Sequence, residues 1–98
     1  MTETLSLLEN WYAARCDGVW EHQRGIRIRT LDNPGWSLEI DLNGTKAESR
    51  SLDVVKLSRT ESDWIHYWVG KKKFFARMGP VNLTETIGIF CRWFADSD

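Results

Sequence analysis

The first pattern along the chain predicts an amphipathic helix. Within residues 2–14 the apolar side chains recur at the spacing of one helix face: Leu5, Leu8, Trp11 and Tyr12. Arg15 would complement the negative end of the helix dipole, and Asp17-Gly18 supplies a stop signal. The helix is therefore expected to end just before Cys16.

Two alternating segments follow and predict a β-hairpin. Isoleucines alternate with arginines in residues 25–31, and apolar residues alternate with polar ones in residues 36–42, on either side of the turn signal Asn33-Pro34-Gly35. A three-residue loop there would pair Ile28 with Ile40 and Arg29 with Glu39, which aligns the apolar sides and brings opposite charges together. Because proline is disfavoured at the position that Pro34 takes in such a turn, a longer turn and a register shift of one or two residues stay open.

The second half of the chain predicts more strands and a closing helix. The polar residues 45–51 fit either a loop or an edge strand, and strands are expected at residues 52–59, 64–69 and 74–78. Asn82 and Glu85 have the spacing of a capping box, and the helix that they open has one apolar stripe: Leu83, Ile87, Phe90 and Phe94. The predicted fold class is α+β, an antiparallel β-meander of four to five strands flanked by an N-terminal and a C-terminal helix.

Composition and charge narrow the class of protein. The 98 residues are 42% hydrophobic, as in a globular chain, and suffice for one core, so we expect a single domain over residues 1–98. The net charge of −1 provides no overall field for nucleic acid or an anionic membrane. The sequence has neither a membrane-spanning apolar stretch nor the pattern of a signal peptide, and we expect a cytoplasmic location.

Candidate chemistry is sparse. Residues 16–22 bring together a thiol, two carboxylates and an imidazole, yet Cys16 with His22 matches no local signature of a nucleophilic pair. A zinc set of Cys16, His22, His66 and Cys91 lacks the usual ligand spacing. A disulfide is not expected between thiols that the cytosol keeps reduced. We therefore expect no enzyme, no catalytic residue, no metal and no cofactor.

Basic and aromatic residues alternate late in the chain. Three lysines stand between two aromatic pairs: Tyr67-Trp68, Lys71, Lys72, Lys73 and Phe74-Phe75. Such interleaving is typical of single-stranded nucleic-acid binding, whereas the simpler interpretation is a charged hairpin tip whose neighbouring aromatics point into the core. A small nucleic-acid-binding module that uses this hairpin is therefore the alternative function.

The six tryptophans divide by position. Trp11 and Trp93 fall on the predicted helices and are expected in the core. Trp64, His66 and Trp68 share one face of a strand that also carries apolar residues on its other face. Such a strand is either covered on both sides or exposes one side to a partner.

Short motifs over nearly the whole chain carry a family resemblance: Leu8-Glu9-Asn10-Trp11-Tyr12, Cys16-Asp17-Gly18, Trp20-Glu21-His22, Gly25-Ile26, Thr30-Leu31-Asp32-Asn33-Pro34-Gly35-Trp36, Asp63-Trp64 and Asn82-Leu83. With these motifs the chain resembles the immunity protein 53 family of bacterial polymorphic toxin systems, and residues 30–36 are the most specific part. The resemblance implies an immunity protein (antitoxin) that binds and blocks a cognate bacterial toxin domain without catalysis.

We expect the partner-binding residues in the loop after the first helix and at the hairpin tip: Asp17, Trp20, Glu21, His22, Asp32, Asn33 and Trp36. Loops on a rigid scaffold often carry function, and acids mixed with tryptophans suit a basic toxin site. The alternative is structural. Trp20 and Trp36 would then pack beneath their own loops, while Asp32 and Asn33 would hydrogen-bond the turn locally.

Overall fold

Helices lie at both ends of the chain, and five strands lie between them. The computed structural model describes residues 2–95. Its elements are α1 (Thr2–Arg15), α2 (Trp20–Gln23), β1 (Ile26–Leu31), β2 (Gly35–Asp41), β3 (Leu52–Ser58), β4 (Trp64–Gly70), β5 (Lys73–Met78), α3 (Leu83–Phe90) and a π-helical turn (Cys91–Ala95). The predicted strands are all present, and α1 ends directly before Cys16. The short helix α2 has no counterpart in the sequence prediction.

The strands form one antiparallel sheet in the order β1-β2-β5-β4-β3. The predicted α+β fold, an antiparallel sheet flanked by an N-terminal and a C-terminal helix, is confirmed. The predicted continuous meander holds only in part, because β3, β4 and β5 follow one another but β2 and β3 are not neighbours. Strand β2 pairs with β5, so the connection from β2 to β3 carries the chain to the opposite edge of the sheet.

The β1–β2 register is shifted by two residues from the pairing expected for a loop of residues 33–35, which is within the shift left open above, and the turn still has three residues, 32–34. Leu31 pairs with Gly35, and Ile28 therefore lies opposite Leu38 rather than Ile40. Gly35 can pair at the start of β2 because it has no side chain. A Cβ at this position would lie 2.3 Å from the carbonyl oxygen of Met78 in β5. An even shift leaves every side chain on the face that its alternation predicts.

The two faces of the sheet differ in cover. On one face the central strands contribute a continuous set of buried side chains: Leu38, Ile40, Ile65, Val69, Phe74, Ala76 and Met78. The alternating side chains make up the other face, which we call the open face: Arg27, Arg29, Ser37, Glu39, Asp41, Lys56, Ser58, Trp64, His66, Trp68, Lys73, Phe75 and Arg77. Of the open-face residues, Asp41 is buried and the others are half-buried or exposed.

Helix α3 and the π-helical turn pack on the face with the buried side chains, which we call the covered face. Phe90 has no exposed surface and contacts Phe74 of the sheet at 5.3 Å and Trp11 of α1 at 5.1 Å between ring centroids. Ile87 and Phe94 are buried and Leu83 packs at the edge of the core, which confirms the predicted stripe. None of the helices within residues 2–95 has the length and apolar character needed to cross a membrane.

Three aromatic or apolar side chains lie outside the core in which the pattern places them. Leu5 and Tyr12 of α1 are 51% and 38% exposed, because α1 rests on the neighbouring helical segments through the narrower stripe of Leu8 and Trp11. Trp93 is 57% exposed, and its prediction as a core residue is wrong. Because Phe90 and Phe94 point at the sheet, the side chain of Trp93, which directly precedes Phe94, points away from it.

Asn82 starts α3 without the predicted capping box, since its side chain makes no cap hydrogen bond to the helix. The Asn82 amide instead donates to Asp63 at 2.8 Å and accepts from the backbone N–H of Trp64 at 3.3 Å. Glu85 forms a bidentate pair with Arg59, at 2.6 and 3.0 Å. These residues therefore hold the β3–β4 loop against the start of α3.

Residues 42–51 form turns, so the edge-strand alternative does not apply. The Thr45 hydroxyl donates to the carbonyl of Leu42 at 2.8 Å and accepts from the N–H of Ala47 at 3.1 Å. Leu42 and Ala47 have no exposed surface. This polar segment thus adds two residues to the core.

Candidate functional site

The acids of the α1–α2 loop hold the loop itself. One oxygen of Asp17 accepts the backbone N–H groups of Val19 and Trp20, both at 2.9 Å. These hydrogen bonds, that from Trp20 first, lower the pKa of Asp17. The Glu21 carboxylate in turn accepts hydrogen bonds from the backbone N–H groups of Asp17 and Gly18, at 2.9 and 2.8 Å. Both carboxylates are therefore ionised at neutral pH and fixed in orientation.

Trp20 anchors this loop to the body of the protein. Its indole N–H donates to the carbonyl of Asn43 at 2.8 Å, and its ring meets Trp11 edge-on with centroids 6.0 Å apart. His22, two residues later on α2, is exposed. Asp17 and His22 are thus accessible to a partner, whereas Trp20 is half-buried against the body of the protein.

The hairpin tip lies at the other end of the β1–β2 pair. Asp32 and Asn33 are exposed there, and Trp36 follows on the covered face with its N–H donated to the carbonyl of Pro80 at 3.0 Å. Five residue steps separate the two ends of β1, about 17 Å at the rise of a strand. The structure therefore brings Asp17, Trp20, Glu21 and His22 together and places Asp32, Asn33 and Trp36 in a second group. Their role in binding stays a prediction.

The cysteine and histidine candidates do not converge. Cys16 is exposed and its thiol donates to the carbonyl of Tyr12 at 3.3 Å. Cys91 is buried, and burial raises the pKa of its thiol, which disfavours the reactive thiolate. Both thiols are free, and no group of three or more His, Cys, Asp or Glu side chains suited to a metal ion occurs in the described part of the chain.

The lysines of the β4–β5 hairpin are partly neutralised. Lys71 and Lys72 form the turn with positive φ angles of 54° and 62°. The Lys72 ammonium lies 3.4 Å from Glu48, and that of Lys73 lies 3.4 Å from Glu39. The neighbouring aromatics divide between the faces, since Tyr67 and Phe74 lie on the covered face and Trp68 and Phe75 on the open one.

Aromatic rings occupy two of the three inner strands on the open face. Trp68 of β4 and Phe75 of β5 are register partners, and their rings stack at 5.4 Å with only 14° between the planes. Trp64 and His66 lie further along β4 with ring centroids 5.0 Å apart. All four side chains are half-buried although none of the helices within residues 2–95 covers them. The alternation within β4 predicts this aromatic row, but not which of its two faces the helices leave open.

A network of four charges lies at one end of the open face. Glu39 is 3.2 Å from Arg27 and 3.4 Å from Lys73, and the same two cations approach Asp41 at 3.7 and 3.9 Å. Asp41 is only 2% exposed, and its carboxylate also accepts the N–H of Gly25 at 2.8 Å. The two carboxylates of this face are therefore already paired.

Three more cations of the open face are accessible: Arg29, Lys56 and Arg77 are exposed, and none makes an ion pair or hydrogen bond through its side chain within residues 2–95. Sequence reasoning did not single them out as functional residues, because isolated strand cations are ordinary surface residues. Their placement on one face depends on pairing between distant segments.

Comparison with known proteins identifies the family. The family model described as Immunity protein 53 matches residues 5–95, nearly the whole chain. Neither the curated proteins nor the solved structures include a match to this sequence. The matched range contains both loop groups and the entire open face, and it confirms the resemblance carried by the short motifs. The chain belongs to the immunity protein 53 family.

Proposed function

We propose that this protein neutralises a cognate bacterial toxin by binding directly to the toxin domain. The observation that carries the proposal is the match to an immunity protein family over residues 5–95, which implies a toxin as partner. A rigid five-stranded sheet that displays exposed loops on one side and an uncovered face on another suits protein binding. Inhibition then requires stable contact and no chemical step.

The α1–α2 loop is one proposed contact region. The internal hydrogen bonds of Asp17 and Glu21 fix two carboxylates next to the exposed His22, so little loop entropy is lost on binding. A basic patch on the toxin would complement this loop. The hairpin tip with Asp32 and Asn33, at the far end of β1, is proposed as a separate contact.

Co-expression tests the function. The probe is the C-terminal domain encoded by the reading frame next to this gene, expressed in a sensitive bacterium with or without this chain. We expect growth to be restored and the purified chains to form a complex that elutes together in gel filtration. Continued killing at equal expression levels, with no complex in vitro, would show that the proposed function is wrong.

A further inference from the structure

We propose that the open face is the principal toxin-docking surface and that it binds a carboxylate-rich patch of the toxin. This inference rests on the proposed function and adds the surface and the chemistry of its partner. It concerns a different part of the molecule from the two loops.

Strand register places the free cations in one row across the sheet. Lys56 pairs with His66, His66 with Arg77, and Arg77 with Ser37, which in turn pairs with Arg29. The row crosses all five strands, and at the usual strand spacing it is about 19 Å long. Side chains in register on one face point the same way, so the three cations form a single linear array.

The array has no compensating acids of its own. Five cations of the open face stand against Glu39 and Asp41, and these two carboxylates are already engaged by Arg27 and Lys73. The whole chain carries a net charge of −1, so the rest of the surface is net acidic. An incoming acidic patch is therefore attracted to this face and repelled elsewhere, which orients the encounter.

Aromatic side chains supply the centre of the proposed interface. Trp68 and Phe75 lie on the inner strands β4 and β5, where Arg77 is their cationic neighbour, whereas Arg29 and Lys56 lie on the two edge strands. An apolar centre with a charged rim is the usual anatomy of a protein interface, and Trp and Arg are the residues that most often dominate its binding energy. Half-buried rings on a sheet also lose little conformational entropy on binding.

The same features favour a protein over a nucleic acid. Single-strand binders offer free aromatic faces to successive bases, whereas Trp68 and Phe75 already stack on each other at 5.4 Å. The family match also points to a protein partner.

Charge reversal tests the array. The variant Arg77→Glu is compared with Arg92→Glu, which changes an exposed arginine on the helical side of the molecule. With the neighbouring toxin domain as probe, calorimetry should show at least tenfold weaker binding for Arg77→Glu and less than a twofold change for Arg92→Glu. Adding Arg29→Glu and Lys56→Glu should weaken binding at least 100-fold.

A second pair of variants tests the aromatic centre. Trp68→Ala should weaken toxin binding at least tenfold, while Trp93→Ala, which truncates a tryptophan exposed on the other side, should change it less than twofold. Thermal unfolding followed by circular dichroism checks that each variant is folded. Because the Arg77 side chain is exposed and unpaired within the described residues, the charge variant keeps the test valid even if Trp68→Ala is unstable.

The outcomes separate the two proposals. If the wild type fails to bind the toxin, the proposed function is wrong and this inference falls with it. If the wild type binds and the Arg77 and Trp68 variants bind equally well, the open face is not the docking surface although the function stands. A mixed-sequence oligonucleotide is the other probe. If it binds in a salt-sensitive way, and Arg77→Glu abolishes this binding but leaves toxin binding unchanged, the assignment to an acidic protein patch is overturned.

Discussion

Gly35 shows how one residue fixes the position of a strand. Its missing side chain lets β2 approach β5, where a Cβ would lie 2.3 Å from the carbonyl oxygen of Met78. We expect Gly35→Ala to lower the free energy of unfolding by about 2 kcal/mol or more, because the backbone must move to relieve the contact. Urea denaturation measures this change.

A matched substitution at Gly88 provides the control. Gly88 lies within α3, and a Cβ there would meet nothing within 4 Å. Alanine should therefore stabilise the helix by about 0.5–1 kcal/mol through reduced backbone entropy of the unfolded chain. Equal effects of the two alanines would contradict the close β2–β5 approach.

Asp17 links the α1–α2 loop to pH. Hydrogen bonds from the backbone N–H groups of Trp20 and Val19 lower its folded pKa, so the ionised form stabilises the folded state. This contribution is complete above the unfolded pKa of about 3.9 and is lost as the pH falls through the folded value. We expect Asp17→Asn, which keeps a capping side chain, to show a smaller stability loss than the wild type below about pH 4.

Chemical denaturation at several pH values gives the comparison. Asp32→Asn is the control, because the exposed Asp32 carboxylate makes no hydrogen bond or ion pair in the described structure. It should leave the acid dependence unchanged. Identical curves for Asp17→Asn and the wild type would contradict the capping role of the charge.

At the scale of elements, the C-terminal helical segment separates aromatic side chains of the core from exposed ones. Phe90 has no exposed surface and joins the sheet to α1, whereas Trp93 is 57% exposed. Phe90→Ala should cost about 3–5 kcal/mol because it opens a cavity between three elements. Trp93→Ala should stay within about 0.5 kcal/mol of the wild type. Thermal unfolding compares the two, and similar losses would mean that Trp93 is packed.

Local periodicity predicts the elements well here, because each helix or strand buries one face. It predicts α1 and the stripe of α3 that contains Ile87 and Phe90. The prediction of Trp93 as a core residue is wrong because the stripe that contains Phe90 and Phe94 leaves Trp93 on the exposed side. The pairing of β2 with β5 joins segments more than 30 residues apart, and no short-range signal encodes it.

The candidate site is less predictable, because part of it consists of residues that are far apart in the sequence. The loop acids near Asp17 stand out as a local cluster, and the structure does hold them together. Arg29, Lys56 and Arg77 are distant in the sequence and share a face only after the sheet has formed. A surface assembled across five strands therefore leaves no motif in the sequence.

At the scale of the whole molecule, the sheet separates two electrically different sides. The open face carries an excess of cations, while the chain as a whole has a net charge of −1. The open face also carries the accessible ring pair Trp68 and Phe75. Accessible aromatics favour self-association, and like charges oppose it when two copies meet face to face. The array of cations thus also opposes self-association of the free protein.

We expect the cations to keep two open faces apart. In a twofold dimer formed through this face, Arg77 and its neighbours would oppose the same cations of the second copy. The triple variant Arg29→Gln, Lys56→Gln and Arg77→Gln should therefore self-associate at concentrations where the wild type is monomeric at low salt. Raising the salt should shift the wild type in the same direction, because charges farther apart than about 10 Å are screened at 0.1 M.

Sedimentation velocity over a concentration series measures this behaviour. Arg92→Gln is the control, since it removes one cation from the helical side and should sediment like the wild type. Adding Trp68→Ala to the triple variant should restore the monomer, because the stacked ring pair supplies the apolar contact. A triple variant that stays monomeric at every concentration the wild type tolerates would show that the cations do not limit pairing of this face.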